Sequence, residues 1–297
     1  MPEATMPEYD IPDLLAAAKR PLFSFELFLP KAPEDLDSFV AFARELKGLS
    51  PDYLTLTYGA GGSARERTIE TAGRLQRETG LPTAAHLTCI AHTRAEISDI
   101  LDRLQALGIR NLVALRGDEP KDATAIPQAR RDFAHASDLV RVAREREALR
   151  IAVAAYPEKH PESPSAEEDL RRFAEKVAVG GDWALTQLFF DARDYFSFVR
   201  RAREAGVSIP IIPGIMPVTG YAQLKRFSTL CGARIPPELD ERLAAVQHDP
   251  QAVVAHGIAW AVRQCRALLD GKAPGIHFYT LNRSHSTAEI LSRLRRA

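Results

Sequence analysis

Apolar runs of strand length alternate with amphipathic runs of helix length along almost the whole chain, and this rhythm limits the possible folds more than any other feature. Eight runs read as strands: LFSFELF (22–28), YLTLTYG (53–59), TAAHLTCI (83–90), NLVALRG (111–117), IAVAAYP (151–157), WALTQLFF (183–190), IPIIPGI (209–215) and IHFYTLN (276–282). Helix-like runs follow them at 33–49, 64–79, 93–107, 137–148, 166–179, 193–205, 221–231 and 287–296. Several of these start near a capping residue such as Ser165 or Asp191, and several end at a glycine such as Gly80, Gly108 or Gly206. Extra helices are expected at 11–19, and at 237–247 and 251–269 before the eighth strand. Eight strand–helix units in 297 residues is the count of a (β/α)8 barrel, and no linker, repeat or low-complexity tract marks a boundary between two domains. Residues 1–297 are therefore expected to form one α/β TIM-barrel catalytic domain, with 1–9 a disordered lead-in.

In a strand, successive side chains point to opposite faces, so parity separates residues lining the barrel from those packed under the helices. The apolar face of the first strand is Phe23, Phe25 and Leu27, which leaves Ser24 and Glu26 pointing inward. The same rule selects Thr55 and Thr57, His86 and Thr88, Arg116 and Asp118, Tyr156 and Glu158, and then Gln187, with Tyr279 and Arg283 sharing a face of the eighth strand. A purely structural interior would carry Val, Ile and Leu at such places. Taken singly, His86 also fits a satisfied core histidine, and Arg116 with Asp118 fits a structural ion pair. Glu26 is the sharpest candidate, because a carboxyl embedded in an apolar strand is disposed by desolvation to keep its proton and act as a general acid. The long polar connection at 119–136 lies at the same face and is expected to act as a lid or cofactor clamp.

Several functional classes are disfavoured. The 39 basic residues balance 39 acidic ones, so no net field draws nucleic acid or an anionic membrane. Cys89, Cys231 and Cys265 are scattered and form no C-x-x-C pair, which reads as reduced thiols in a cytoplasmic protein without a disulfide framework or a metal site. No run approaches the length of a membrane span. Glu158, His160 and Glu162 lie among three prolines in YPEKHPES, which suits a loop wrapped around a ligand better than a helical metal face. LTYGAGGSARERT (56–68) fits G-x-G-x-x-[G/A] through Gly59, Gly61 and Ala64, yet no ribose-binding acid follows at the end of the next strand, as a Rossmann unit requires. These glycines are read as the turn from the second strand into its helix at the catalytic face.

Nine runs, in order, resemble the flavin-dependent 5,10-methylenetetrahydrofolate reductases: SFELFLPK (24–31), LTYGAGGSARERT, HLTCI (86–90), ALRGD (114–118), ASDLV (136–140), AAYPEKHPES (154–163), ALTQLFFD (184–191), IIPGIMPV (211–218) and HFYTLNR (277–283). The resemblance implies a TIM barrel binding FAD, with NADH or NADPH as co-substrate and a folate as substrate, in a homo-oligomer. It implies ping-pong reduction of 5,10-methylenetetrahydrofolate to 5-methyltetrahydrofolate, with hydride passing through flavin N5. Glu26 matches the general acid that assists opening of the imidazolidine ring, and Asp118 an aspartate beside the flavin and the pterin. The FAD site would comprise Tyr58, Ala60, His86, Arg116, Gly117, Asp118, His135, Ala136, Tyr156, His160, Ser163, Asp169, Arg172 and Lys176. Thr57, Gln187, Gln223, Phe227, Tyr279 and Arg283 would contact nicotinamide or folate.

Three positions depart from the family pattern. His135 stands where members often have Tyr, and Arg172 and Glu175 stand where Asn and Arg are expected. Glu175 would then place a negative charge near the FAD diphosphate. Two alternatives remain open at this level: a flavin-free homologue passing hydride directly from NADH to folate, and a folate-binding protein without turnover.

Overall fold

A computed structural model describes residues 10–30, 32–59, 62–118 and 132–296. The lead-in at 1–9, Ala60 of the expected cofactor site and most of the connection at 119–136 lie outside the described residues. The strands β1 (Leu22–Leu27), β2 (Tyr53–Leu56), β3 (Thr83–Thr88), β4 (Asn111–Leu115), β5 (Arg150–Ala155), β6 (Trp183–Thr186), β7 (Ile211–Ile212), β8 (Gly214–Ile215) and β9 (Gly275–Tyr279) form one sheet of parallel pairs.

Its order is β7-β6-β5-β4-β3-β2-β1-β9-β8, and the two ends of that order are separated in the chain by Pro213 alone. β7 and β8 are thus two halves of one interrupted stave, and the sheet closes on itself as the expected eight-stave barrel. The interruption has a chemical cause, because proline brings no N–H to a ladder. Pro213 still accepts from the His277 N–H at 2.9 Å, while the next N–H, of Gly214, goes to Thr186 Oγ1 at 2.9 Å.

The helices α1 (Ile11–Ala17), α2 (Leu36–Lys47), α3 (Gly62–Thr79), α4 (Arg94–Ala106), α5 (Ala136–Arg144), α6 (Ala166–Ala178), α7 (Ala192–Glu204), α8 (Tyr221–Cys231), α9 (Pro237–Ala245), α10 (Pro250–Asp270) and α11 (His285–Arg295) keep the expected order. The helix expected from 33 begins as a 3-10 turn at Pro33–Asp35, and the one expected to reach 148 stops at Arg144. Arg144 there donates to the Leu149 carbonyl and pairs with Asp182 at 2.7 Å, fixing the turn that leads into β5.

Apolar burial falls into three bodies. The largest lies between sheet and helices and contains Phe23, Phe25, Leu54, Leu56, Ile151, Val153, Ile276 and Phe278, the outward half of each strand. A second fills the barrel floor with Tyr53, Val113, Trp183 and Ile212, and α1 closes it with Ile11. The third includes Leu188, Met216, Leu224, Leu239 and Val253. It packs α8, α9 and α10 over the opposite end of the barrel. Among the described residues no helix is long and apolar enough to cross a membrane.

The floor is also fastened by charge. Asp10 is 5 % exposed and pairs with Arg110 Nε at 3.0 Å and Arg150 Nη2 at 3.0 Å, while the Ile11 N–H donates to Asn111 Oδ1 at 3.0 Å. Removing one partner of such a cluster strands the others. We expect Asp10→Ala to lower unfolding free energy by about 2–3 kcal/mol, reduced from a fully buried pair because both arginines are partly solvated. Urea denaturation would measure it, and a loss under about 0.5 kcal/mol would mean that α1 closes the floor through Ile11 alone.

Candidate active site

At the C-terminal ends of the strands a cleft of about 740 Å³ opens between β1, β3–β6, α5, α6, α8 and β9. Glu26 sits at its inner end, 7 % exposed. Parity on β1 and β3 sends Glu26 and His86 inward, and their neighbours Phe25, Leu27, Ala85 and Leu87 into the outer core. Glu26 Oε2 lies 3.5 Å from His86 Nε2 and 3.5 Å from His277 Nε2. His277 is wholly buried, and its Nδ1 shares a 2.8 Å hydrogen bond with Ser24 Oγ. Burial pushes the His86 pKa down, helped by His277 and only partly opposed by Glu26, so this ring is neutral near pH 7 and does not lock the carboxyl in an ion pair. Tyr279 closes the group, its hydroxyl donating to the Thr186 carbonyl at 2.6 Å. Burial, then Glu26, raises its pKa well above the usual phenol value, which keeps it neutral.

The other end of the cleft is built from β4, β5 and α6. Gly117 has φ +88°, and a Cβ there would meet Ile90 Cγ2 at 2.8 Å, so only glycine makes this turn. Arg116 donates from Nη2 to Glu162 at 2.5 Å and from Nε to the Gly117 carbonyl at 3.2 Å. Tyr156 and His160 meet edge to face at 4.6 Å, and the His160 Nδ1 accepts from the Glu162 N–H at 3.1 Å. Lys176 is half-buried, but its ammonium is drawn inward to the Ala154 carbonyl at 2.6 Å. Burial lowers its pKa to about 8, with Asp169 pulling the other way, and burial in turn raises the Asp169 pKa against the pull of Lys176. Cys231 also faces the cleft, but burial followed by the Asp118 charge raises its thiol to about 11, which disqualifies it as a nucleophile.

Most of the residues expected from sequence converge here: Glu26, Tyr58 and His86 from the first three strands, Arg116, Gly117 and Asp118 after β4, and His135 and Ala136 at the start of α5. Tyr156, His160, Ser163, Asp169, Arg172 and Lys176 follow, with Gln187, Phe227 and Tyr279 on the far side. Parity does not explain Arg116 and Asp118, however. In β4 they share the phase of Leu112 and Ala114, which lie in the outer core, and the two reach the cleft only because the strand ends at Leu115 and Gly117 turns the chain. Three expected ligand contacts are not in the cleft wall. Thr57 Oγ1 accepts from the Leu29 N–H at 3.2 Å, Gln223 Oε1 bonds Thr219 at 2.8 Å, and Arg283 is exposed. Glu158 also points elsewhere, accepting from the Arg234 N–H at 3.0 and 3.1 Å.

Glu175 is likewise engaged outside the cleft wall, bonded by Arg141 at 3.0 Å, Ser137 at 3.1 Å and Arg172 at 3.3 Å. Burial alone would raise its pKa, but Arg141, Ser137 and Arg172 outweigh that and lower it. Its charge is therefore answered within the protein. The sequence reading missed His277, although parity with Tyr279 on β9, between apolar Ile276 and Phe278, was a sufficient signal. Met216, Ile90 and Cys231 gave no comparable signal; tertiary packing alone brings them to the wall.

The family model for methylenetetrahydrofolate reductase matches residues 11–295. The chain is 36% identical over 271 residues to the 5,10-methylenetetrahydrofolate reductase of Escherichia coli K12, covering 91% of this chain and 90% of that one. It is 35% identical over 283 residues to methylenetetrahydrofolate reductase (NADH) 1 of Arabidopsis thaliana, covering 92% of this chain but 48% of that protein, so it spans about half the length of such plant relatives. An uncharacterized Clostridium thermocellum protein described as binding two copies of 5-methyl-5,6,7,8-tetrahydrofolic acid superposes with a TM-score of 0.66, covering 96% of this chain and 99% of that one. At 14% identity that likeness concerns the fold alone.

The lowered pKa of Lys176 has a pH signature. Below about 8 the ammonium is charged in both folded and unfolded chains, and the folded state bears the full cost of burying it. Between about 8 and the unfolded value near 10.5 the unfolded chain binds more protons, so this group's contribution to stability rises with pH. We expect the melting-temperature difference between Lys176→Met and the parent protein to shrink from pH 7 to pH 10. A difference independent of pH would show that the ammonium is not desolvated.

Proposed function

The chain belongs to the methylenetetrahydrofolate reductase family, and we propose that it reduces 5,10-methylenetetrahydrofolate to 5-methyltetrahydrofolate, using FAD as cofactor and NADH or NADPH as electron donor. The observation that carries this reading is the inward Glu26, backed by His86 and by the His277–Ser24 pair, at the inner end of a cleft large enough for a dinucleotide and a second flat ligand in turn.

The residues present fit FAD. The wall at β4, β5 and α6 offers Arg116 and Lys176 as cations for a diphosphate, and Tyr58 and Tyr156 as aromatic surface. The left-handed Gly117, where a Cβ would strike Ile90 and Thr88, turns the chain so that Arg116 and Asp118 reach the cleft. Bound FAD supplies the hydride chemistry; the chain supplies orientation, exclusion of water and proton transfer. Glu26 donates its proton to N10 of the folate as the imidazolidine ring opens, in a place where little bulk water competes. His86 and His277, the latter held by Ser24, keep the Glu26 carboxyl aimed into the cleft, and the neutral His86 does so without pairing it to a full positive charge. Asp118, exposed at the rim, favours the cationic ring-opened folate. Gln187, Phe227 and Tyr279 form one surface for nicotinamide and folate, and a shared surface makes the two ligands alternate in a ping-pong cycle.

The visible spectrum of the purified protein, with cofactor extraction, tests the FAD assignment directly; a colourless protein that reduces folate with NADH would establish direct hydride transfer instead. We expect Glu26→Gln to lower the folate half-reaction by about a hundredfold or more while leaving NADH oxidation by an artificial acceptor near the parent rate. An equal fall in both would remove the general-acid role. Asp118→Asn should raise the flavin potential and slow folate reduction, and an unchanged potential would place the aspartate too far from the ring to matter electrostatically.

A further inference from the structure

The wall at Tyr58 has a buried support that the proposed chemistry leaves unused. Tyr58 is the first residue after the expected inward Thr57, and its ring faces the cleft. Behind it lies His92, 4 % exposed and not among the cleft-lining residues. The Tyr58 hydroxyl and His92 Nε2 are 3.1 Å apart, and the rings are tilted 55° with centroids at 6.0 Å. The other ring nitrogen, Nδ1, is 2.8 Å from the Ile90 carbonyl oxygen. A carbonyl can only accept, so Nδ1 carries the hydrogen. Burial holds the phenol neutral, with its pKa raised to about 12.

The turn that places His92 is strained. Ala91, just before it, has φ +58°, a left-handed conformation that disfavours any residue with a Cβ. Three backbone hydrogen bonds hold the turn: Cys89 and Ile90 donate to the Arg116 carbonyl at 3.2 and 2.8 Å, and the His92 N–H donates to the Cys89 carbonyl at 3.2 Å. The turn lies between β3 and the capping box at Thr93, where the Thr93 hydroxyl and the Glu96 carboxylate satisfy each other's backbone N–H groups at the head of α4. Strain held in place by so many partners is typical of backbone that positions a functional group.

We propose that His92 is a positioning residue for the cofactor. Its hydrogen bond to the Tyr58 hydroxyl, and the strained turn that carries it, hold the Tyr58 ring at the cleft wall against which FAD would pack. This rests on the FAD reading above. Without His92 the Tyr58 hydroxyl loses its buried partner, and the ring is held less firmly at the wall.

The test is a titration of flavin-depleted protein with FAD, followed by flavin fluorescence, alongside the melting temperature of each flavin-free variant. We expect His92→Ala and Tyr58→Phe each to weaken FAD binding about tenfold, and the double variant to be within about twofold of the weaker single variant, because both remove one linked interaction. His92→Gln, which restores a hydrogen-bond partner at similar reach, should recover most of the affinity. If His92→Ala does not fold, His92→Leu fills the space without a hydrogen-bonding group and takes its place. Multiplying losses in the double variant overturn the proposal. So does a lower melting temperature in His92→Ala with unchanged FAD affinity, which is the mark of a merely structural histidine. Parent protein that binds FAD tightly while the variants do the same sinks this inference alone; parent protein that binds no FAD sinks the cofactor reading and this inference with it.

Discussion

Closure of the parallel sheet is the constraint on which the rest depends. A flat sheet could leave Glu26 facing solvent, but a closed barrel turns every second residue of each stave toward a common axis. β1 pairs with β2 on one side and β9 on the other, with Glu26 opposite Thr55 and Tyr279. That pairing brings residues 251 positions apart, Glu26 and His277, within 3.5 Å. Pro213 interrupts the closing stave without opening the barrel, because Thr186 and His277 take up the hydrogen bonds on either side of it.

The two ends of the cleft have opposite electrostatic characters. Around Glu26, burial keeps His86 unprotonated and Tyr279 in its phenol form. Around α6 the wall holds ions that answer one another, Lys176 with Asp169 and Arg116 with Glu162. A dry end suits proton transfer, and a charged end suits an anionic ligand group that can exchange places with the protein's own counter-ions. The helix α8 and the extra helices α9 and α10 shape this cleft as well. They add the apolar body that includes Leu188, Met216 and Leu224, and so carry Phe227 and Cys231 to the cleft.

Much of this was legible in the sequence where the physical rule was local. Alternation located the inward face of β1, β3, β5 and β6, because the pleat acts on every strand alike. The same rule gave Arg116 and Asp118 the correct destination for a wrong reason, since β4 ends one residue before Arg116 and the left-handed Gly117 sends the chain into the cleft. It was not carried through on β9, where His277 shares the phase of Tyr279. Thr57, Gln223 and Arg283 were expected at the ligand and are not in the cleft wall: Thr57 and Arg283 lie beyond strand ends, where no period holds, and Gln223 is on α8, outside the reach of strand parity. The charge of Glu175 could not be weighed from sequence at all, as its partners come from α5 as well as α6.

The sequence by itself determined the repeating unit, the inward carboxyl of the first strand and the family pattern, since these follow from side-chain period and from residue order. Tertiary structure alone decided what surrounds that carboxyl. It set two histidines against Glu26, drew the Lys176 ammonium onto a backbone carbonyl, and placed His92 behind Tyr58. Each of these depends on distances between staves or across a turn, and on how much water the closed barrel excludes, neither of which is written in any local stretch of the chain.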